Sequence, residues 1–191
     1  GFQEVLTYSL TSRDRLELLT PGAHMAVEPL RMAHPMSKDQ EYLRTSLRAS
    51  LLEVLARNRR REQTPARLFE LSRVYIPQGS GLPDEREMLC ALLTGTAEPA
   101  SWHHGERGVD FFDAKGAVEL LLRKCGVEAA FLPADDPGLF PGRQATIKAN
   151  SDLIGVLGQL HPVVARSFEV ESDTFVIELD VSKLMHHSKE I

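Results

Sequence analysis

Hydrophobic and polar positions along the chain alternate between two periods. Residues 2–10 are rich in aromatic and β-branched side chains and predict a strand. Ser12 predicts a cap for a short helical turn from Asp14 to Leu18, and Pro21-Gly22 a turn. Residues 24–33 are ambiguous, with a possible strand. Leu43, Leu47, Leu51 and Leu55 recur every four positions with Leu52 beside them, predicting a helix over 39–61 with Ser37 or Asp39 as its cap. Residues 67–76 read as a strand stopped by Pro77, 78–83 as a loop, and 88–94 as a buried strand bounded by Gly95.

The second half repeats the mixture. Residues 97–108 form a polar loop that holds the single tryptophan, Trp102. Asp113 predicts the cap of a second helix, with Val118, Leu121, Leu122 and Cys125 on its apolar face and Gly126 ending it. Phe131-Leu132 starts a further strand. Strands follow over 143–149, 153–160 and 174–179, the first two joined by turn chemistry at Asn150-Ser151-Asp152. Pro162 opens a short helix to Phe168. Strands cluster without βαβ alternation, so the pattern predicts an α+β domain with a largely antiparallel sheet.

Composition narrows the class. The chain has 191 residues, 42% apolar and 26% charged, enough for one domain with a real core. No apolar run approaches the roughly 20 residues of a membrane helix, and no export leader opens the chain. Gly1-Phe2-Gln3 begins directly in patterned sequence, so the chain reads as cut from something longer. Cys90 and Cys125 sit in apolar stretches and predict buried free thiols, which fits a reducing, cytoplasmic compartment. The formal net charge is −5, unevenly spread: residues 1–75 carry 12 basic and 9 acidic side chains, the remainder 10 and 18. That excludes a whole-surface nucleic-acid footprint and leaves room for a local patch.

Candidate chemistry is sparse. Arg57, Arg59, Arg60 and Arg61 form a basic run suited to tRNA phosphates, although a solvated helix end favoured by the helix dipole is the stronger reading. His103-His104-Gly105-Glu106 lacks metal-ligand spacing and reads as a polar loop, so no metal site is expected. Gly79-Ser80-Gly81 and Gly155/Gly158 lack phosphate-loop patterns and read as turn and strand-packing glycines. No nucleophile elbow is present. His161-Pro162 reads as a strand-to-helix junction.

Several blocks resemble the β-subunit core of bacterial phenylalanine–tRNA ligase, in family order and over nearly the whole chain. They are residues 1–10 (GFQEVLTYSL), His34-Pro35-Met36-Ser37, Tyr42-Leu43-Arg44-Thr45-Ser46-Leu47 and Leu68-Phe69-Glu70-Leu71-Ser72-Arg73-Val74-Tyr75. Asp110-Phe111-Phe112-Asp113-Ala114-Lys115-Gly116, Pro141-Gly142-Arg143-Gln144-Ala145 and residues 155–162 (GVLGQLHP) complete the set. His34, Arg48-Ala49-Ser50 and Ser72 depart from the family's usual residues.

The resemblance implies a class II aminoacyl-tRNA synthetase-like antiparallel sheet flanked by helices, over a single domain 1–191 within a longer β subunit. In that fold two arginines clamp phosphate: one in a Phe-Arg-x-Glu sequence of motif 2, the other after a Gly-x-Gly strand of motif 3. Here Ile76 stands for the first arginine and Gln78 for the glutamate. Residues 175–184, read as the motif 3 strand, lack the glycines and the arginine. Losing both clamps removes most transition-state charge stabilisation, so no catalytic residue is expected. The resemblance implies assembly with a catalytic α subunit as α2β2, with tRNA(Phe) bound by the complex and ATP and magnesium needed only there. It also implies subunit contacts at the end of motif 1, at Phe2, Val5 and Tyr8, against the alternative that apolar residues here and on helix 39–61 face the domain's own core. A separate alternative is an RNA-binding module acting through the arginine run.

Overall fold

The computed structural model describes residues 1–59, 66–79, 81–103, 105–171 and 173–188. Its centre is a seven-stranded sheet built from β1 (Gln3–Glu4), β4 (Ala66–Ile76), β5 (Asp84–Thr94), β8 (Ala130–Pro133), β9 (Leu139–Ala149), β10 (Asp152–Leu160) and β11 (Phe175–Asp180). Their order across the sheet is β1-β4-β5-β11-β10-β9-β8. All neighbours are antiparallel except β1, which lies parallel to β4. Two small two-stranded sheets flank it: β2 (Leu10–Thr11) with β3 (Tyr42–Leu43), and β6 (Thr96–Glu98) with β7 (Arg107–Gly108). The helices are α1 (Arg13–Glu17), α2 (Arg48–Arg59), α3 (Phe111–Lys124), α4 (Pro162–Ser167) and α5 (Val181–His186).

The period-2 pattern of β5 divides the core. Cys90 and Leu92 join one apolar cluster with Leu47, Leu51, Leu52 and Leu55, while Ala91 and Leu93 join another with Ala114, Val118 and Leu122 of α3. The sheet is therefore buried on both faces, α2 on one side and α3 on the other, so apolar residues fall on both faces of its central strands. The leucines at 47, 51, 52 and 55 have no exposed surface, so this stripe serves the domain's own core.

Several expected boundaries move. The helix expected over 39–61 starts only at Arg48. A 3₁₀ turn, Lys38–Gln40, and β3 precede it, and Ser37 makes no side-chain cap. Arg44 cannot be helical because its N–H donates to Ser9 O (3.0 Å) and its carbonyl accepts from Tyr75 N–H (2.9 Å). Ser46 Oγ accepts the Arg48 N–H instead (3.0 Å). The strand expected over 2–10 breaks into β1 and β2, because the chain leaves the ladder after Val5. Residues 24–33 contribute only an isolated bridge at Arg31.

The cap of α3 is Asp110, with Asp113 at its third position completing a capping box. The loop expected over 97–108 contains β6 and β7. The residues read as one motif 3 strand turn at Asp180, which caps α5 through Lys183 N. The other expected strands stand, with β5 and β9 longer than expected, and Pro162 opens α4 with His161 Nδ1 accepting from Val163 N–H (3.2 Å).

Candidate functional site

The face of the sheet under α2 carries charge in its core. Glu70, Cys90 and Glu178 sit opposite one another on adjacent strands β4, β5 and β11, so their side chains share that face. Each glutamate meets an arginine from the segment entering α2. Arg44 Nη1 donates to Glu70 Oε1 (2.9 Å), and both side chains are fully buried. Arg44 Nη1 also donates to Thr7 Oγ1 (2.8 Å), while Nε and Nη2 donate to Arg73 O (2.9 Å) and Ser72 Oγ (2.6 Å).

Arg48 closes the second pair. Its Nη2 donates to Glu178 Oε2 (2.6 Å), and the two terminal nitrogens grip Asp136 at 3.1 and 2.9 Å. Ser46 Oγ donates to Glu178 Oε1 (2.6 Å), so the carboxylate is held on both oxygens. Gly138 N–H donates to Asp136 Oδ1 (2.8 Å), and a Cβ at Gly138 would lie 2.5 Å from Leu19 O and 2.9 Å from Arg48 Nη1, so glycine lets the loop reach the guanidinium. Burial pushes the Asp136 carboxyl up, but the Arg48 charge and hydrogen bonds outweigh it and hold it below the usual carboxylate range. Burial likewise works against the Arg48 cation, and Glu178 and Asp136 overcome it.

Beside this network lies a cleft of about 590 Å³. Its apolar wall includes Leu16, Leu19, Met25 and Met88, and its polar side includes Arg48, Arg86, Asp135, Asp136, Glu178, Asp180 and Lys183. The cations are engaged from within. Arg86 Nε binds Asp84 (2.5 Å), and Lys183 Nζ donates to Leu153 O (3.1 Å) with Asp180 at 4.0 Å. Four carboxylates line this space, so a triphosphate entering it meets more negative than available positive charge.

Ile76, in the place of the expected motif 2 arginine, ends β4 and lines the same cleft, half-buried. Gln78 lies past the strand, exposed and away from it. Phe2 and Val5 are half-buried and pack on the domain's own two clusters, whereas Tyr8 is exposed. Arg57 is exposed near the end of α2, Arg59 is the last residue of that helix, and Arg60 and Arg61 lie outside the described residues. His104 also lies outside them. His103 is exposed against Trp102, and Glu106 accepts from Thr96 Oγ1 (2.6 Å).

Arg44, Arg48, Glu70, Asp136 and Glu178 were not singled out as site residues by sequence reasoning. A signal existed: charged residues inside apolar periodic segments need partners when buried. The partners, however, are up to 130 positions away.

Comparison with known proteins gives the family and the fold. The family model of the phenylalanyl-tRNA synthetase beta chain CLM domain matches residues 1–181. The phenylalanine–tRNA ligase beta subunit of Dehalococcoides mccartyi is 46% identical over 185 residues, which is 97% of this chain and 23% of that protein. Its counterpart in Symbiobacterium thermophilum is 40% identical over 188 residues, 97% of this chain and 21% of that protein. The chain thus spans less than a quarter of the length of these relatives. A pyrrolysyl-tRNA synthetase from Desulfitobacterium hafniense superposes with a TM-score of 0.72 at 14% identity, over all of this chain and 68% of that one. The architecture is that of the class II synthetase-like fold. The chain belongs to the family of the phenylalanyl-tRNA synthetase β-chain CLM domain.

Proposed function

We propose that this chain is the non-catalytic, synthetase-like core of a phenylalanine–tRNA ligase β subunit. It packs on the catalytic α subunit in an α2β2 assembly that charges tRNA(Phe) in the cytoplasm, and the α subunit supplies the ATP and magnesium site. The observation that carries this reading is the state of Arg48. The Arg48 guanidinium, in the lining of the cleft, is spent on Asp136 and Glu178, at 2.6–3.1 Å. An arginine held bidentate by one carboxylate and closed by a second has no fork left for a phosphate. Ile76 supplies none either. The site that would form an adenylate is instead an internal ion network tying α2 to β11 and to the loop before β9.

Full-length β subunit co-expressed with its α subunit tests this. Co-purification as a stable complex with aminoacylation activity is expected. The β subunit alone should give no phenylalanine-dependent exchange of pyrophosphate into ATP, and exchange by β alone would overturn the reading.

A further inference from the structure

The hairpin between β9 and β10 closes on two residues. Ala149 pairs with Asp152, so Asn150 and Ser151 form the whole loop, and both are exposed. Asn150 has a φ of +52°, while Ser151 stays outside the left-handed region. A positive φ at the first central residue alone marks a type II′ turn, which usually takes glycine there. Asparagine puts a side-chain amide at that place. The ψ of about −120° that belongs to the turn swings the next backbone nitrogen over the side chain. Ser151 N thus comes within ring-closing reach of Asn150 Cγ, and serine is small enough not to obstruct it.

The same amide is held from outside the hairpin. His187, just past α5, has its Nδ1 3.4 Å from Asn150 Nδ2 and its Nε2 2.9 Å from Asp152 Oδ2. With Asp152 accepting from Nε2–H, Nδ1 faces the amide nitrogen as a proton carrier. The chain's other asparagine, Asn58, has neither feature. It lies inside α2, where a ψ of about −42° holds the next nitrogen away from the side chain. The residue that follows it is the bulky Arg59.

We infer that Asn150-Ser151 is a self-modifying site, at which the folded turn converts Asn150 through a succinimide into aspartate or isoaspartate. Ser151 N bonds to Asn150 Cγ and the Cγ–Nδ2 bond breaks. The proton that Ser151 N gives up is passed by His187 to Nδ2, which leaves as ammonia. Water then opens the ring at either carbonyl. The product sets a carboxylate beside Asp152 where an amide had faced His187. Isoaspartate also lengthens the backbone of a loop whose length sets the β9–β10 register. α5 is fastened to this hairpin by His187 and by Lys183 Nζ on Leu153 O (3.1 Å), and Lys183 and Leu153 line the cleft, so the change reaches the cleft wall.

The test ages full-length β subunit at neutral pH, digests it with trypsin and maps the peptides by mass spectrometry. Free peptide 149–166 is aged beside it. The peptide from the native protein should gain the amide-to-acid mass and an isoaspartyl residue faster than the free peptide, while the peptide holding Asn58 stays intact. Ser151→Pro suits the negative φ of its position and removes the attacking N–H, so it should abolish conversion. His187→Gln should slow conversion severalfold. Circular dichroism melts check that each variant is folded. Conversion no faster in the native protein than in the free peptide overturns the inference, because the turn then contributes nothing. Conversion of Ser151→Pro at the wild-type rate overturns it as well. A His187→Gln rate equal to that of wild type overturns the part given to His187.

Discussion

Glu70 and Glu178 face the same side of the sheet, across Cys90 from its two neighbouring strands, and each is closed by an arginine only four residues from the other's. Two helix-entry arginines thus neutralise two strand carboxylates. The arrangement joins two of the sequence blocks that carry the family resemblance, Leu43-Arg44-Thr45-Ser46-Leu47 and Leu68-Phe69-Glu70. Arg44 and Glu70 bond to each other, and Ser46 and Arg48 bond to Glu178.

Removing one partner should be far worse than removing both. Arg44→Met leaves Glu70 buried with an uncompensated charge and is expected to cost about 3–5 kcal/mol of stability. Arg44→Met with Glu70→Leu should recover most of that, since paired buried ions are often replaceable by apolar residues. Urea titrations of the three proteins, compared at constant m-value, measure it.

Acid sensitivity should trace in part to Asp136. Its folded carboxyl titrates below the unfolded one, so the unfolded state binds more protons as pH falls. The stabilisation is complete above the unfolded value and is lost as pH drops through the lowered folded value. Asp136→Asn should lower stability at neutral pH and flatten the acid limb of a plot of melting temperature against pH.

The two cysteines should differ sharply. Burial, then the Glu178 charge, push the Cys90 thiol well up, with Arg48 only partly opposing. Cys90 has no exposed surface, while Cys125 is a half-buried helix cap. A thiol reagent should therefore label one site in the native protein, Cys125, and reach Cys90 only in denaturant.

Glycines with opposite surroundings give a paired test. A Cβ at Gly155 would sit 2.4 Å from Glu178 O and 2.5 Å from Leu179 Cδ2, so Gly155→Ala should force β10 away from β11 and destabilise by about 1–3 kcal/mol. Gly116 lies inside α3 with nothing within 4 Å of its Cβ position, so Gly116→Ala should stabilise by about 1 kcal/mol. Thermal melts of the two variants should shift in opposite directions.

What was legible in the sequence follows from the range of the forces. The β9–β10 hairpin, α3 and α4 are written locally in alternation, caps and a first-turn proline; all three form, with the α3 cap at Asp110 instead of Asp113 and β9 starting at Leu139 instead of Arg143. The start of α2 was not legible. The spacing of Leu43 from Leu47 mimics a helical stripe, yet Leu43 pairs with Leu10 in a strand and Arg44 bridges two other segments. The sequence places Ile76 where the family resemblance expects an arginine. The capture of Arg48 by carboxylates 88 and 130 positions away is a product of the fold alone.

Restoring a single expected arginine should not restore chemistry. Ile76 packs on the α2-side core at the end of β4, paired in register with Asp84. A guanidinium placed there by Ile76→Arg meets Asp84 and Arg86 before any substrate. Across the cleft, β11 carries Glu178 and Asp180, and Asp135 and Asp136 add to them. One new cation near four carboxylates forms internal pairs, as Arg48 already does, and leaves no net attraction for the phosphates of ATP. Phenylalanine-dependent pyrophosphate exchange by Ile76→Arg β subunit is expected at the background of the wild-type subunit assayed without α. A rise above it would show that the cleft retains a working geometry lacking only one charge.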